Sequence, residues 1–195
     1  MPRRYQMGSK ERLGVAFHEV GHAAMVYWRR EALHDRRIVI NAHTGGHFHL
    51  QIYSDSEVTI LGPGPDLERH TELVRPARES DMMVLLGGPM AEFLSIGIIP
   101  KKAFRFSNEY RRPNSDTVRI RKLVRLNCGK DDRIYQFEVQ ERVRAILQEP
   151  RMWAGVTKAA ETLAASGELD GEDVERILTE AGAQDMFGGE RGAAG

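Results

Sequence analysis

Cysteine is almost absent from this chain of 195 residues, in which Cys128 is the one thiol. A single cysteine cannot form an intrachain disulfide, so the fold does not need an oxidising compartment and we expect it in the cytoplasm. No apolar run approaches the roughly 18 residues that a membrane span requires. The basic N-terminus is not followed by an apolar segment, and we therefore expect neither a signal peptide nor a membrane partner.

An excess of charge of either sign is also lacking, because 28 lysines and arginines balance 28 aspartates and glutamates. This balance argues against a general attraction to nucleic acid or to an anionic membrane. The local basic run with Arg119, Arg121, Lys122 and Arg125 is typical of a solvated helix face. The sequence also contains no G-x-x-x-x-G-K-[ST] phosphate loop, so no ATPase motor is expected in it.

What is present is the composition of a globular protein, with 41% hydrophobic and 29% charged residues. Apolar spacing predicts a first helix over residues 9–30, with Ser9 as its N-cap. Residues 37–40 and 46–53 read as strands, the second with clean alternation. A second helix is predicted over residues 66–94, with a break near Pro76.

Four more helices are predicted in the second half of the chain, beginning near residues 114, 131, 151 and 170. A capping box of Asp170 and Asp173 would open the last of them. The fold class is therefore mainly α (α+β), with a small sheet near the first helix. We expect one domain over residues 1–182 and a disordered, Gly/Ala-rich tail over residues 183–195.

The first helix contains the pattern H-E-x-x-H at residues 18–22. Histidines four residues apart share one face of a helix, so His18 and His22 can bind one tetrahedral ion. Glu19 is rotated by about 100° from His18 and lies beside the metal, where it can act as a general base. Such an ion needs a third protein ligand, and spacing alone does not choose among the other carboxylates and histidines.

The whole chain resembles the peptidase domain of FtsH-type ATP-dependent zinc proteases, in five segments that follow the same order. The matching segments are His18-Glu19-Val20-Gly21-His22-Ala23, Arg36-Arg37-Ile38-Val39-Ile40 with Gly45-Gly46-His47-Phe48, Leu86-Gly87-Gly88-Pro89-Met90-Ala91-Glu92, Asn114-Ser115-Asp116, and Leu169-Asp170-Gly171-Glu172-Asp173-Val174. Pro89 departs from the family pattern, which has arginine at this position.

The resemblance implies a mainly helical, zincin-like metallopeptidase domain that binds Zn2+ through His18, His22 and Asp116. It also implies that the carboxylate of Glu92 lies near the metal histidines, where it could fix one imidazole. Without the resemblance, Asp116 would be read as a helix N-cap and Glu92 as a surface residue.

The expected function is that of a zinc endopeptidase that cuts unfolded or flexible polypeptides, with Glu19 as the catalytic base. The strand with Gly46, His47, Phe48 and His49 would be the platform on which the substrate adds as a further strand. His47 and His49 share one face of this predicted strand. That face could line a polar cleft, and an auxiliary metal site formed by the two histidines is the other alternative.

Two other functions stay open at this stage, an inactive zinc-binding adaptor for partner proteins and a zinc hydrolase of small amides. The family's usual AAA+ ATPase and transmembrane helices have no counterpart in this sequence. Because of this departure, an ATPase that acts in trans is one candidate partner. A second copy of the chain, which would form a homo-oligomer, is another.

Overall fold

A computed structural model describes residues 8–31, 33, 37–40, 67–104 and 115–187. Within these ranges the chain is mainly helical, with one small antiparallel sheet, as the sequence predicts. The elements are α1 (Ser9–Trp28), β1 (Arg37–Val39), α2 (Leu67–Ser95), α3 (Asp116–Cys128), α4 (Arg133–Leu147), α5 (Pro150–Ser166), β2 (Glu168–Asp170), α6 (Gly171–Glu180) and a 3-10 helix (Ala183–Phe187).

Helix α1 is the central element, and it packs along α2 on one side and against α5 on another. Glycines allow the close approach of α1 to α2. A Cβ atom added to Gly87 of α2 would lie 2.5 Å from the carbonyl oxygen of Gly21 and 2.6 Å from Cγ of Met25. Such distances are too short for any other residue, so the two backbones meet at this point without intervening side chains.

Two predictions about helix boundaries are wrong. The N-cap of α1 is Gly8, which has extended backbone angles, and Ser9 is the first helical residue. Helix α2 is continuous from Leu67 to Ser95, so the break predicted near Pro76 does not occur. Proline removes one backbone hydrogen bond, but the buried run of residues 82–91 supplies an apolar face that holds the helix together.

The sheet joins distant parts of the chain. Strand β1, which the sequence predicts, pairs antiparallel with β2, with Ile38 opposite Leu169. Both of these side chains are buried. The sequence analysis did not predict β2, and the predicted strand over residues 46–53 lies outside the described residues.

The remaining helices begin at caps of different kinds. Asp132 accepts hydrogen bonds from the first turn of α4, and Glu149 does the same for α5. Asp170 is the N-cap of α6 but makes no side-chain capping bond, so the predicted capping box is not formed. Asp173 instead accepts a hydrogen bond from Arg176 at 2.9 Å.

The C-terminal part extends the core slightly beyond the predicted domain end. Ala183 is buried, and residues 183–187 form the 3-10 helix, although the sequence predicts a disordered tail from residue 183. Among the described residues, no helix combines the length and apolarity needed to cross a bilayer.

Candidate metal centre

Three side chains from two helices converge between α1 and the start of α3. His18 and His22 lie on one face of α1, with ring centroids 4.9 Å apart and an angle of 78° between the ring planes. Asp116 is the first residue of α3, and its Oδ2 lies 3.5 Å from Nε2 of His18 and 3.3 Å from Nε2 of His22. The N-cap of α3 is Ser115, so Asp116 is not engaged as the cap residue.

The spacing of these three groups suits a small tetrahedral ion. Two ligand atoms that are each about 2.05 Å from a tetrahedral metal lie about 3.4 Å apart. The distances from Oδ2 of Asp116 to the two imidazole nitrogens bracket this value, and all three ligand atoms lie within 4.8 Å of one another. His18, His22 and Asp116 therefore form a group that could hold a metal ion.

The second nitrogen of each imidazole has an acceptor of its own. Nδ1 of His22 lies 2.7 Å from the buried carbonyl oxygen of Val84, and Nδ1 of His18 lies 3.1 Å from Oε2 of Glu92. In a neutral imidazole, Nδ1 would carry the hydrogen that these acceptors require, and the lone pair of Nε2 would face Asp116, as metal ligation requires. In a protonated ring, Nε2 also carries a hydrogen and donates it to Asp116.

Gly88 of α2 makes room for the ring of His22. A Cβ atom added at this position would lie 2.6 Å from Cε1 and 2.8 Å from Cδ2 of His22, and closer still to Nε2. The two glycines therefore have different roles. Gly87 lets α2 approach the backbone of α1, and Gly88 leaves space for the ring of His22. The sequence analysis noted the pair only as part of the resemblance.

Glu19 is a buried carboxylate next to the group, with 5% of its surface exposed. Burial raises the pKa of Glu19, and the neighbouring charges of His22 and His18 offset part of this rise. Glu19 is not a member of the ligand group itself. This position, beside the ligands but not among them, is the one that the H-E-x-x-H spacing predicts.

The charges of His18, His22 and Asp116 shift one another's pKa values. Burial alone would lower the pKa of His18, but hydrogen bonds to Asp116 and Glu92 outweigh it and raise this pKa to about 10. The pKa of His22 is also raised, because the charge of Asp116 overcomes the effect of burial. Burial acts to raise the pKa of Asp116, yet the charge of His22 and bonds from both rings hold it well below its usual range.

The other predicted site residues divide into two sets. Glu92 lies where the resemblance implies, next to His18, even though Pro89 stands inside the same helix. The predicted platform residues Gly46, His47, Phe48 and His49 lie outside the described residues. The sequence could not indicate the carbonyl of Val84 as an acceptor, because every residue type has a backbone carbonyl.

No protein-family model, curated protein or solved structure matches this chain.

Proposed function

We propose that this protein is a zinc-dependent endopeptidase. The observation that carries the proposal is the position of Asp116, whose Oδ2 lies 3.3 and 3.5 Å from the two imidazole Nε2 atoms of an H-E-x-x-H helix. A helix that offers two histidines and a buried glutamate, together with a third ligand from a distant helix, is the arrangement expected of a zincin-like peptidase.

The donor set favours zinc over calcium and magnesium. Two imidazole nitrogens and one carboxylate oxygen are ligands of zinc catalytic sites, whereas calcium and magnesium prefer oxygen ligands throughout. Three protein ligands would also leave the fourth tetrahedral position for water and substrate. When bound, zinc would polarise the scissile carbonyl and lower the pKa of water at that position to about 7.

Glu19 would perform the proton transfers. Its carboxylate accepts a proton from the attacking water and delivers that proton to the nitrogen of the leaving amine. The raised pKa of Glu19 suits both steps, because a carboxylate that is less acidic than usual holds a proton more readily in between. Burial also keeps bulk water from exchanging that proton, which favours its delivery to the amine.

Val84 and Glu92 would position the imidazoles through their Nδ1 hydrogens. Each bond fixes the ring orientation, and the bond to the Glu92 carboxylate makes the ring of His18 a stronger ligand. The proposed substrates are unfolded or flexible polypeptides, and the proposed location is the cytoplasm. An ATPase in trans and a second copy of this chain stay open as partners.

The exchange of Glu19 for glutamine tests the proposed role of this residue. An amide cannot accept the proton, so Glu19→Gln should keep its zinc while its cleavage of casein falls at least about 100-fold. The matched control is Glu161→Gln, since Glu161 is an exposed residue of α5. Casein fragments are followed by gel electrophoresis, with zinc content measured on the same samples. Cleavage by Glu19→Gln at the wild-type rate would remove Glu19 from the mechanism.

A further inference from the structure

Exposed apolar side chains are concentrated at the C-terminal end of α2. Among the described residues, six large hydrophobic side chains are exposed, and four of them lie between residues 93 and 99. Three follow directly after the helix, namely Ile96, Ile98 and Ile99, with 65%, 46% and 53% of their surfaces exposed. We name these three residues the apolar turn.

Backbone hydrogen bonds fix the conformation of the apolar turn. The N–H of Gly97 donates to the carbonyl of Leu94 at 3.0 Å, and the N–H of Ile98 donates to that of Phe93 at 3.0 Å. Gly97 has a left-handed conformation with φ of 72°. Together these features form a Schellman motif, so the isoleucines are presented by an ordered helix end.

The ring of Phe93 packs against another aromatic ring. A Schellman motif usually packs the residue after its glycine against the residue that accepts its hydrogen bond, which would pair Ile98 with Phe93. Here the ring of Phe93 stacks on that of Phe104, with centroids 5.3 Å apart. The exposures of the three isoleucines show that the apolar turn keeps a large part of its surface open to a ligand.

The apolar turn is close to the candidate metal centre. Glu92, whose Oε2 lies 3.1 Å from Nδ1 of His18, precedes Ile96 by four residues. Residues four apart share one side of a helix and are about 6 Å apart along its axis. An extended peptide advances by about 3.3 Å per residue, so a chain held at the candidate centre could reach the turn within a few residues.

We propose that the apolar turn is a substrate subsite, which binds an apolar side chain located about two to four residues from the scissile bond. This inference rests on the proposed peptidase function. An extended polypeptide is the occupant that the location favours, because the turn follows the end of α2 that carries Glu92, the hydrogen-bond partner of His18. The subsite would make the enzyme prefer segments that are apolar and are buried in folded proteins.

The test compares two substrates with two variants. One quenched fluorescent peptide carries leucine three residues to each side of its scissile bond, and the other carries serine at these positions. The subsite variant is the triple change Ile96→Ser, Ile98→Ser and Ile99→Ser, with the single Ile96→Ser as a milder form. The control is Ile134→Ser, because Ile134 is 75% exposed and lies on α4.

In the triple variant, KM for the leucine peptide should rise about tenfold, the factor that corresponds to about 1.4 kcal/mol. The KM for the serine peptide, the kcat for both peptides and the zinc content should stay unchanged. Ile96→Ser should show a smaller rise, and Ile134→Ser should show none. An equal KM for the leucine peptide in wild type and triple variant would overturn the subsite.

A binding experiment separates the subsite from the peptidase function. Anisotropy of the labelled leucine peptide is measured with zinc-loaded Glu19→Gln chains that carry or lack the triple change. A tenfold loss of affinity supports the subsite even if no cleavage is found, and only the proposed function then fails. Unchanged peptide affinity would overturn the subsite. The subsite would also be overturned if the triple change abolished self-association in sedimentation, because the occupant would then be a second copy of the chain. Loss of binding to phosphatidylserine vesicles would overturn it as well, because the occupant would then be a bilayer.

Discussion

The two imidazoles of the candidate centre are held by acceptors of different chemical character. His22 donates to a buried, neutral carbonyl in the middle of α2, whereas His18 donates to a carboxylate with 53% of its side chain exposed. A buried backbone acceptor is fixed by the helix, and an exposed carboxylate can move and is screened by solvent. The ring of His22 is therefore held more rigidly than the ring of His18.

Protons would compete with a metal ion at this centre. The pKa of His18 is raised to about 10, so its ring is charged in the metal-free chain at neutral pH, and the pKa of His22 is raised as well. In the unfolded chain a histidine has a pKa of about 6.5. The stability that these charged rings contribute is fully present below pH 6.5 or so, and it is lost as the pH rises towards the folded pKa values.

This linkage predicts opposite effects of pH on the metal-free and the zinc-loaded chain. Between about pH 6.5 and 8.5, the unfolding midpoint of the metal-free chain should fall, because the histidines of the unfolded chain release protons that the folded chain retains. Zinc displaces the protons, so the upward shift of the midpoint on adding zinc should grow over the same range. Calorimetry with and without a chelator measures both trends. A zinc-induced shift that shrinks as the pH rises would contradict the assignment of the imidazoles as ligands.

Part of this site could be predicted from residue spacing alone. His18 and His22 are four residues apart on one helix, and Glu19 between them is fixed by the same turn. Asp116 and Glu92 come from other helices, with 74 residues between His18 and Glu92. Helical periodicity says nothing about contacts over such distances, so these two positions were available only through the resemblance to a family.

At the scale of elements, the centre depends on how closely α2 approaches α1. Gly87 lets the two backbones touch, and Gly88 admits the ring of His22 to the carbonyl of Val84. A larger residue at position 88 must push this ring away, because its Cβ would meet ring atoms at distances under 3 Å. The position of the His22 ring in this group thus depends on the contact between α1 and α2.

The variant Gly88→Ala tests this dependence. It should weaken zinc binding about 10- to 100-fold, since the ring of His22 loses its place and its Nδ1 acceptor. Gly155→Ala is the matched control, because its added Cβ would lie 2.9 Å from Cδ2 of Leu178, in the contact of α5 with α6. Both changes should cost about 1–3 kcal/mol of stability. Equal zinc affinity in Gly88→Ala and wild type, measured by competition with a fluorescent chelator, would refute this account of the glycine.

The elements themselves were predictable where one helix face is apolar over several turns. The prediction failed where tertiary packing overrides a local signal. Pro76 does not break α2, because the rest of this long helix is held against its neighbours. Strand β2 has three residues and depends on its partner β1, which is far away in the sequence, so no local periodicity could have indicated it.

At the scale of the whole molecule, three helices that are distant in sequence meet at one group of polar side chains. Helix α1 supplies the histidines, α3 supplies Asp116, and α2 supplies the acceptors Val84 and Glu92. Helix α1 also packs against α5 and α6, so the helix that carries His18 and His22 is part of the main core. Metal bound at this centre would link α1 to α3 and would stabilise the assembled state over the unfolded one.

If the chain has the proposed peptidase function, the stability of the substrate limits what it can cut. A peptide must be extended to enter a metal cleft, whereas a folded domain is held closed by about 5–15 kcal/mol. The 195 residues contain no phosphate loop, so the proposed reaction is one that does not use ATP.

We expect casein to be cut at the same rate with and without ATP, and a chelator to stop the reaction. A stable folded protein of similar size should survive the same incubation. Gel analysis of parallel reactions measures these outcomes. Cleavage of casein that required ATP would contradict the prediction, as would degradation of the stable protein by the pure chain.

Zinc content per chain tests the central claim most directly. Wild type and the control Asp173→Asn, a change in the first turn of α6, should each retain about one zinc after dialysis. His22→Phe should lose most of its zinc, and Asp116→Asn should bind it clearly more weakly, because a neutral amide is a poorer ligand than a carboxylate. Metal analysis of the four proteins decides the matter. Wild type without zinc, or Asp116→Asn that holds zinc as tightly as wild type, would contradict the assignment of His18, His22 and Asp116 as a zinc centre.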